Sequence, residues 1–255
     1  MSNNPEDKSP QQRGERLNRF LSRAGVGSRR RADELIADGH VAINGVKVTK
    51  LATFVDAGRD TVTLDGKKLS PPVDEPIWLV MNKAAGTLTT RRDTRGRPTV
   101  FDGLPSVYSQ LVTVGRLDFD TEGVLLLTND GDAANRLMHP RYEIERVYEA
   151  AVEGEPAPAS LRQLRQGVDL GDPTPARAEA QVIGRHRTGV ILQLRLHEGR
   201  KREIKRLCQA IGHRVLSLKR VSYAGIKATR LSVGHWRKLS PGEIEFLRAK
   251  IRDRM

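Results

Sequence analysis

The first apolar pattern along the chain has the period of an α-helix. Leu17, Phe20, Leu21 and Ala24 are spaced i, i+3, i+4 and i+7, which places them on one helix face. Gly25 follows and is suited to end a helix. The pattern therefore predicts a short helix that buries one side.

A second helix and a small sheet are expected next. Ser28 can cap a helix whose apolar residues repeat the same spacing, and Gly39 can end it. Asn44-Gly45 then separates two short apolar runs and predicts a β-hairpin, because both turn residues tolerate positive φ. A further strand is expected at residues 61–64.

Beyond residue 76, strand and helix patterns follow one another irregularly. This order favours an α+β fold with a mixed, mainly antiparallel sheet over a parallel doubly wound one. Strands are expected at 77–82, 111–115, 123–128, 146–152, 178–183 and 190–196, and helices at 132–138, 159–166, 200–211 and 241–251.

Composition divides the chain into four segments. Residues 1–14 are polar and without periodicity, which predicts a disordered tail. Residues 15–68 form a minimal domain. Residues 69–76 contain three prolines and two acids and predict a linker, and residues 77–255 form the α+β domain.

Charge points to a polyanionic partner. The formal net charge is +13, and residues 200–230 hold ten lysines or arginines against one acid, Glu203. A scattered excess could serve solubility alone, but a cluster favours phosphate contacts. Arg29, Arg30 and Arg31 open the second predicted helix, where outward backbone N–H groups also favour phosphate.

Other compositional features limit the function classes. No apolar run approaches the roughly 18 residues of a membrane span, and the polar N-terminus differs from a secretion signal. We therefore expect a cytoplasmic protein without membrane contact. The lone Cys208 lies on an apolar helix stripe and is interpreted as a buried structural thiol. The six histidines are dispersed, so no metal site is expected.

The loop before the predicted strand 123–128 carries the candidate chemistry. Asp118 lies in Gly115-Arg116-Leu117-Asp118-Phe119-Asp120-Thr121-Glu122-Gly123, between two apolar strands. Such a rigid placement suits a catalytic carboxylate. Spacing alone favours a turn whose acids bind backbone N–H groups. A calcium loop fails because Asn129 stands where a bidentate Glu is required.

The N-terminal segment resembles a known RNA-binding module. Residues 16–21, 25–31 and 39–45 (Gly-His-Val-Ala-Ile-Asn-Gly) carry the likeness. It is similar to the alpha-L RNA-binding domain, which is also fused to RNA-modifying enzymes. The resemblance implies the fold of residues 15–68 and RNA binding, and it leaves the reaction open.

The Asp118 segment, continued by Leu125-Leu126-Leu127-Thr128-Asn129-Asp130-Gly131, resembles the catalytic motif of pseudouridine synthases. The group is the ribosomal RNA synthases of the RsuA/RluB type. Residues 81–86 and 135–140 continue the match. The resemblance implies that Asp118 is the catalytic carboxylate and that no cofactor is needed, because the reaction is an isomerisation.

Two further motifs supply candidate partners for Asp118. Val147-Tyr148-Glu149-Ala150 resembles the motif whose tyrosine stacks on the target base, although a core aromatic is the alternative for Tyr148. Residues 197–206 resemble the motif whose basic residue pairs with the catalytic Asp. That residue maps to Lys205, for which a solvated helix face is the alternative. The resemblance thus predicts Lys205 within salt-bridge reach of Asp118, beside the Tyr148 ring.

The function implied is an rRNA pseudouridine synthase, an isomerase of ribosome biogenesis, acting as a monomer on ribosomal RNA or a pre-ribosomal particle. The motifs favour large-subunit 23S rRNA. The alternatives are 16S rRNA and a non-catalytic RNA-binding assembly factor. Arg116 could brace the Asp118 loop or touch RNA phosphates, and four further residues are expected at the RNA backbone: Arg200, Lys201, Arg202 and Arg206.

Overall fold

The computed structural model describes residues 14–70 and 75–252. The predicted tail, apart from Gly14, and part of the predicted linker lie outside these residues. The chain forms two compact units. One comprises residues up to Pro76 with Val107–Gln110, and the other comprises Ile77–Ser106 with the chain from Leu111 onward. Each unit is described separately.

The two predicted helices of the first unit are confirmed as α1 (Leu17–Arg23) and α2 (Arg29–Ala37). The Ser28 hydroxyl caps α2 by accepting a hydrogen bond from the Arg31 backbone N–H at 3.1 Å. This cap satisfies one of the free donors that every helix start exposes. The apolar faces of both helices form one core with residues of the adjoining strands.

The sheet of the first unit contains the predicted hairpin. Asn44 and Gly45 have positive φ angles of 51° and 81°, as the turn requires. The four-stranded sheet has the order β3-β2-β5-β6, and β1 pairs with β4 apart from it. The strands are β1 (Glu15–Arg16), β2 (Val41–Ile43), β3 (Val46–Val48), β4 (Phe54–Val55), β5 (Val62–Leu64) and β6 (Lys67–Lys68).

The second unit contains an eight-stranded sheet with helices interspersed. Its order is β11-β12-β10-β13-β9-β7-β14, with β8 also paired to β9. The strands are β7 (Trp78–Lys83), β8 (Val112–Val114), β9 (Thr121–Thr128), β10 (Arg146–Glu153), β11 (Glu179–His186), β12 (Gly189–Leu196), β13 (Val215–Tyr223) and β14 (Trp236–Lys238). The helices are α3 (Gly131–Met138), α4 (Pro158–Gln166), α5 (Glu203–Ala210) and α6 (Pro241–Arg252).

Strand directions confirm the predicted α+β class with a mixed, mainly antiparallel sheet. Among the described strand pairs of this sheet, β9 and β13 run parallel and the others antiparallel. Two apolar clusters cover the sheet, one built with α3 and α6 and one with α4 and α5. Strand β13 contributes Tyr223 to the first cluster and Leu218 to the second. It therefore joins the two halves of the core.

Several elements differ from the prediction, among them β14, which was not expected. Strand β13 was not expected, because its buried positions include Arg220 and Ser222 and the segment was interpreted as an RNA-binding cluster. Strand β9 begins at Thr121, so Gly123 lies within the strand and does not bound the loop. Helix α5 begins at Glu203, not at residue 200, and Arg202 before it adopts a left-handed conformation (φ 52°).

No helix within residues 14–70 and 75–252 has the length and apolar character to cross a membrane.

Gly123 is predicted to be essential for the β9–β13 contact. Its φ is +105°, and a Cβ added there would lie 2.1 Å from the Arg220 carbonyl oxygen. Because both the conformation and the backbone contact exclude a side chain, Gly123→Ala should lower the free energy of unfolding by roughly 2 kcal/mol or more. Urea denaturation measures this change.

Gly131→Ala is the matched control. Gly131 begins α3, and a Cβ there meets no atom within 4 Å. The free energy of unfolding should stay unchanged or rise by up to about 1 kcal/mol. Equal unfolding midpoints for the two variants would contradict the role assigned to Gly123.

Candidate active site

The loop between β8 and β9 holds Asp118 with a fixed backbone and an uncommitted side chain. Leu117 is buried, and its backbone N–H and C=O both bond the Thr89 hydroxyl, at 3.3 and 2.9 Å. The Asp118 carbonyl accepts from the Thr121 N–H at 3.1 Å. Among the described residues the half-buried carboxylate of Asp118 has no hydrogen-bond or ion-pair partner. The loop is a turn, but this acid does not stabilise it.

A buried lysine lies under the same loop. The ammonium of Lys83, at the end of β7, is fully buried and donates to the carbonyls of Thr121 (2.8 Å), Ala84 (2.9 Å) and Phe119 (3.4 Å). Burial lowers the pKa of Lys83 to about 8, and the negative charges of Asp120 and Asp118 partly oppose this shift. Lys83 lies within the motif at residues 81–86, but no individual role was predicted for it. A lysine at the end of an apolar strand was the available signal.

Asp118 and Tyr148 meet at one cavity. They come from the loop before β9 and from β10, and both line an open cavity of about 1100 Å³. They also line an adjoining recess of about 70 Å³, whose apolar residues include Leu117, Leu196, Ile204 and Leu218. Tyr148 is half-buried and packs against the α4–α5 core cluster. The site thus combines an aromatic ring, an apolar recess and an unpaired carboxylate. Such a site can bind a planar ring of a ligand while the carboxylate lies near a reactive atom attached to that ring.

The predicted salt bridge between Lys205 and Asp118 is wrong. The Lys205 ammonium instead lies 2.5 and 2.6 Å from the two carboxylate oxygens of Asp120. In this loop Asp120, and not Asp118, lies within reach of Lys205, the third residue of α5. The hydrogen bond from Lys205 lowers the pKa of Asp120. The Asp120 side chain is 65% exposed, so the pair is a surface one and contributes little to stability.

The basic residues predicted to contact RNA fall into two groups. Arg200 bonds Glu198 at 2.9 Å, and both Arg200 and Arg206 bind Asp172, at 3.3 and 3.0 Å. These two guanidinium groups form internal ion pairs, and their contact with the RNA backbone stays a prediction. Lys201 and Arg202 are exposed in the turn before α5 and line the large cavity.

Arg116 also lines the large cavity and is exposed. Within the described part of the chain its guanidinium has no hydrogen-bond or ion-pair partner. Of its two predicted uses, bracing of the loop is therefore not observed. Its position next to Asp118 leaves the charge available to a ligand.

The arginines at the start of α2 belong to the first unit. Arg31 pairs with Glu34 at 2.9 Å, and Arg29 donates to the Asn18 side chain at 3.4 Å. Arg30 is exposed and has no partner among residues 14–70 and 75–252. Of these three arginines, Arg30 is therefore the one whose side chain is most available to a phosphate.

Burial shifts the pKa values of two further groups, Cys208 and Glu203. Burial raises the pKa of Cys208 to about 12, which agrees with an inert structural thiol. Burial also raises the pKa of Glu203 to about 7, while its carboxylate accepts from the Arg200 backbone N–H at 2.9 Å. The described residues contain no group of three or more side chains suited to hold a metal ion.

Comparisons with known proteins show which families the chain resembles. Residues 77–210 match the family model described as RNA pseudouridylate synthase, and residues 15–60 match the S4 domain model. The chain is 42% identical over 237 residues to the "Ribosomal large subunit pseudouridine synthase B" of Bacillus subtilis (strain 168), covering 92% of this chain and 96% of the relative.

Two further similarities extend over most of the chain. An "Uncharacterized RNA pseudouridine synthase" of Aquifex aeolicus (strain VF5) is 40% identical, covering 90% of this chain and 92% of the relative. Among solved structures, a "Crystal structure of pseudouridylate synthase" has a TM-score of 0.67 and 26% identity, covering 92% of this chain and 100% of that one.

The buried Lys83 should make stability depend on pH in the alkaline range. Its pKa is about 8 in the folded chain against an ordinary value of 10.5. Between these values the unfolded chain binds more protons, so this contribution to the free energy of unfolding rises with pH. The stability difference, wild type minus Lys83→Met, should therefore increase by up to about 3 kcal/mol from pH 8 to 10.5.

Urea denaturation of both proteins at a series of pH values measures that difference. Lys67→Met, which removes an exposed lysine of β6, controls for the loss of one ammonium group. A difference that stays constant across the window would show that Lys83 is not held with a lowered pKa.

Proposed function

The chain belongs to the RNA pseudouridylate synthase family, and we propose that it isomerises uridine to pseudouridine in ribosomal RNA with Asp118 as the catalytic carboxylate. One observation carries this assignment. The carboxylate of Asp118, which has no partner among the described residues, lines the apolar recess together with Tyr148. The other acids of the same loop are placed differently, since Asp120 is bound to Lys205.

The chemistry requires few groups. The bond from C1′ of ribose to N1 of uracil breaks, and a bond from C1′ to C5 forms. Protons are exchanged, but no other group enters or leaves, and no redox change occurs. An ionised carboxylate near C1′ can act as nucleophile or base. Asp118, half-buried on a loop that Lys83 and Thr89 fix from below, meets this need.

The target nucleotide must leave its stack before it can react. Unstacking costs a few kcal/mol, and an aromatic platform offsets part of that cost. We assign this platform to Tyr148, with Leu196 and Leu218 lining the recess that would receive the base. Arg116, Lys201 and Arg202 surround the larger cavity and would contact phosphates of the flanking nucleotides.

Lys205 receives a different role from the one the motif suggested. We propose that it acts through Asp120, fixing the outer end of the catalytic loop, rather than on Asp118 itself. It is a positioning residue in this assignment.

We further propose large-subunit rRNA as the substrate. The name of the Bacillus subtilis relative carries this inference, since the relative matches nearly the whole chain. In this assignment residues 15–68 bind RNA and residues 77–255 perform the reaction. A map of pseudouridine in rRNA from cells with and without the protein tests the substrate. Loss of a site in 16S rRNA would redirect the assignment, and an unchanged map would favour a non-catalytic assembly factor.

Asp118→Asn should abolish turnover, because the amide is neither a nucleophile nor a base. A loss of roughly a thousandfold or more in single-turnover rate is expected, with little change in the dissociation constant for RNA. Tritium released from C5 of labelled uridine in an rRNA transcript measures the rate.

Asp120→Asn is the control from the same loop. It removes one surface ion pair, which is worth about 1 kcal/mol at most, so its rate should fall by no more than about fivefold. An inactive Asp120→Asn together with an active Asp118→Asn would assign the chemistry to the other acid.

Arg30→Gln should weaken RNA binding through the loss of one phosphate contact. The plot of log affinity against log salt concentration should become shallower by about one. Filter binding to an rRNA transcript over a range of salt concentrations measures the slope. Arg59→Gln removes another exposed arginine of the same unit, one that lies beside Asp56, and should change the slope less. Equal effects would indicate that only total charge matters.

A further inference from the structure

Strand β13 carries a buried arginine that the catalytic assignment leaves unused. Arg220 is 2% exposed, and its Nε donates to the Val124 carbonyl at 2.8 Å. Its Nη2 is enclosed and has no hydrogen-bond partner. Nor does the guanidinium pair with any carboxylate of residues 14–70 and 75–252. A buried charge without a counter-ion is costly unless something else compensates it.

A second buried arginine shares its surroundings. The Cζ atoms of Arg220 and Arg146 lie 4.7 and 5.1 Å from the ring centroid of Tyr223. Arg146 is also buried, and it donates to neutral acceptors such as the Ile144 carbonyl at 2.9 Å. Stacking on the ring lowers the cost of burying both cations but does not neutralise them. This wall of the protein therefore holds a fixed positive charge.

The positive wall belongs to the cavity that contains Asp118. Arg220 and Tyr148 are directly opposed in register on β13 and β10, which places their side chains on the same face of the sheet. Both residues line the large cavity with Asp118. A base stacked on Tyr148 would thus have a carboxylate at its sugar and the Arg220 guanidinium beside its ring. The Nη1 of Arg220 is not among the enclosed atoms and has no hydrogen-bond partner in the described part of the chain.

We propose that Arg220 is a further catalytic residue, which stabilises the negative charge that uracil acquires as it leaves the ribose. This inference rests on the proposed function. When the C1′–N1 bond breaks, its electron pair passes to N1 and spreads over the carbonyl oxygens O2 and O4. The Nη1 of Arg220 donates to one of these oxygens, while Asp118 compensates the electron-poor C1′. C5 then bonds to C1′, C5 loses its proton, and N1 gains one.

Preorganised charge of this kind acts at the moment of bond breaking. Removal of one such donor typically slows the chemical step by a factor of 100 to 1,000. Because the interaction strengthens as the base departs, its loss should lower the single-turnover rate and leave RNA affinity nearly unchanged. A purely structural arginine would not produce that separation.

The test compares two leaving groups in the full-length enzyme. The substrate is an rRNA transcript that contains either uridine or 5-fluorouridine, and the measurement is the first-order loss of the original nucleoside at the target position in a single turnover. Fluorine makes the departing base more acidic, so it needs less help from a cation. In Arg220→Gln the uridine rate should fall at least tenfold, and the ratio of the fluorouridine rate to the uridine rate should rise severalfold above the wild-type ratio.

Lys219→Gln is the matched control. Lys219 precedes Arg220 on the same strand, but it is exposed and lies on the opposite face of the sheet. This variant loses the same charge and should keep the wild-type rate and the wild-type ratio.

Arg220→Lys keeps the test decisive if the glutamine variant does not fold. Lysine retains the charge, so the ratio should stay at the wild-type value with a rate within about tenfold of wild type. An unchanged rate or an equal slowing of both substrates in Arg220→Gln overturns the inference. In Arg220→Lys, a ratio above the wild-type value or a rate more than about tenfold lower than wild type overturns it. A wild-type enzyme that releases no tritium from uridine would instead overturn the proposed function itself.

Discussion

The site depends on the parallel contact between β9 and β13. At Gly123 the two backbones approach so closely that no side chain fits between them. The same approach allows Arg220 on β13 to bond the carbonyl of Val124 on β9. Since β9 begins directly after the Asp118 loop, this contact sets the position of the loop relative to the strand that opposes Tyr148. Gly123 thus permits the strand contact beside which Asp118, Tyr148 and Arg220 line one cavity.

Acidic side chains and buried cations lie close together around this contact. Three acids, Asp118, Asp120 and Glu122, lie on the loop and the first residues of β9, and the buried cations Lys83 and Arg220 lie near them. Lys83 is hydrogen-bonded to backbone carbonyls and fixes the loop from below. Of the acids at the cavity, Asp120 is neutralised by Lys205, while Asp118 is left unpaired among the described residues. The arrangement leaves the Asp118 carboxylate without an internal partner, which the proposed nucleophile requires.

The local elements could be predicted from the sequence because local rules determine them. The Ser28 cap, the Asn44-Gly45 turn and the apolar spacing of α1 each depend on neighbours a few residues away. Strand β13 could not be predicted in this way. Its buried arginine is accommodated by Tyr223 and by the Val124 carbonyl, a partner almost a hundred residues away. Polar residues at buried positions conceal the apolar alternation on which strand prediction relies.

The partners of charged side chains were also beyond prediction. A motif identifies Lys205 as a residue near the catalytic acid, but only the folded loop determines that Asp120 receives its ammonium group. Arg200 and Arg206 belong to the same basic segment as Lys201 and Arg202, yet they are held by Asp172. A cluster of positive charge in sequence is therefore not the same as a positive surface.

This distinction changes what the net charge of +13 implies. Part of the excess is internal: Arg220, Arg146 and Lys83 are buried and cannot contact a phosphate backbone from outside. Arg200 and Arg206 are balanced by acids. The charge left for phosphates around the cavity comes from exposed residues without internal commitments, chiefly Arg116, Lys201 and Arg202. In the roles proposed above, affinity for RNA and chemistry on the base therefore use different cations, so that each can be altered by mutation without removing the other.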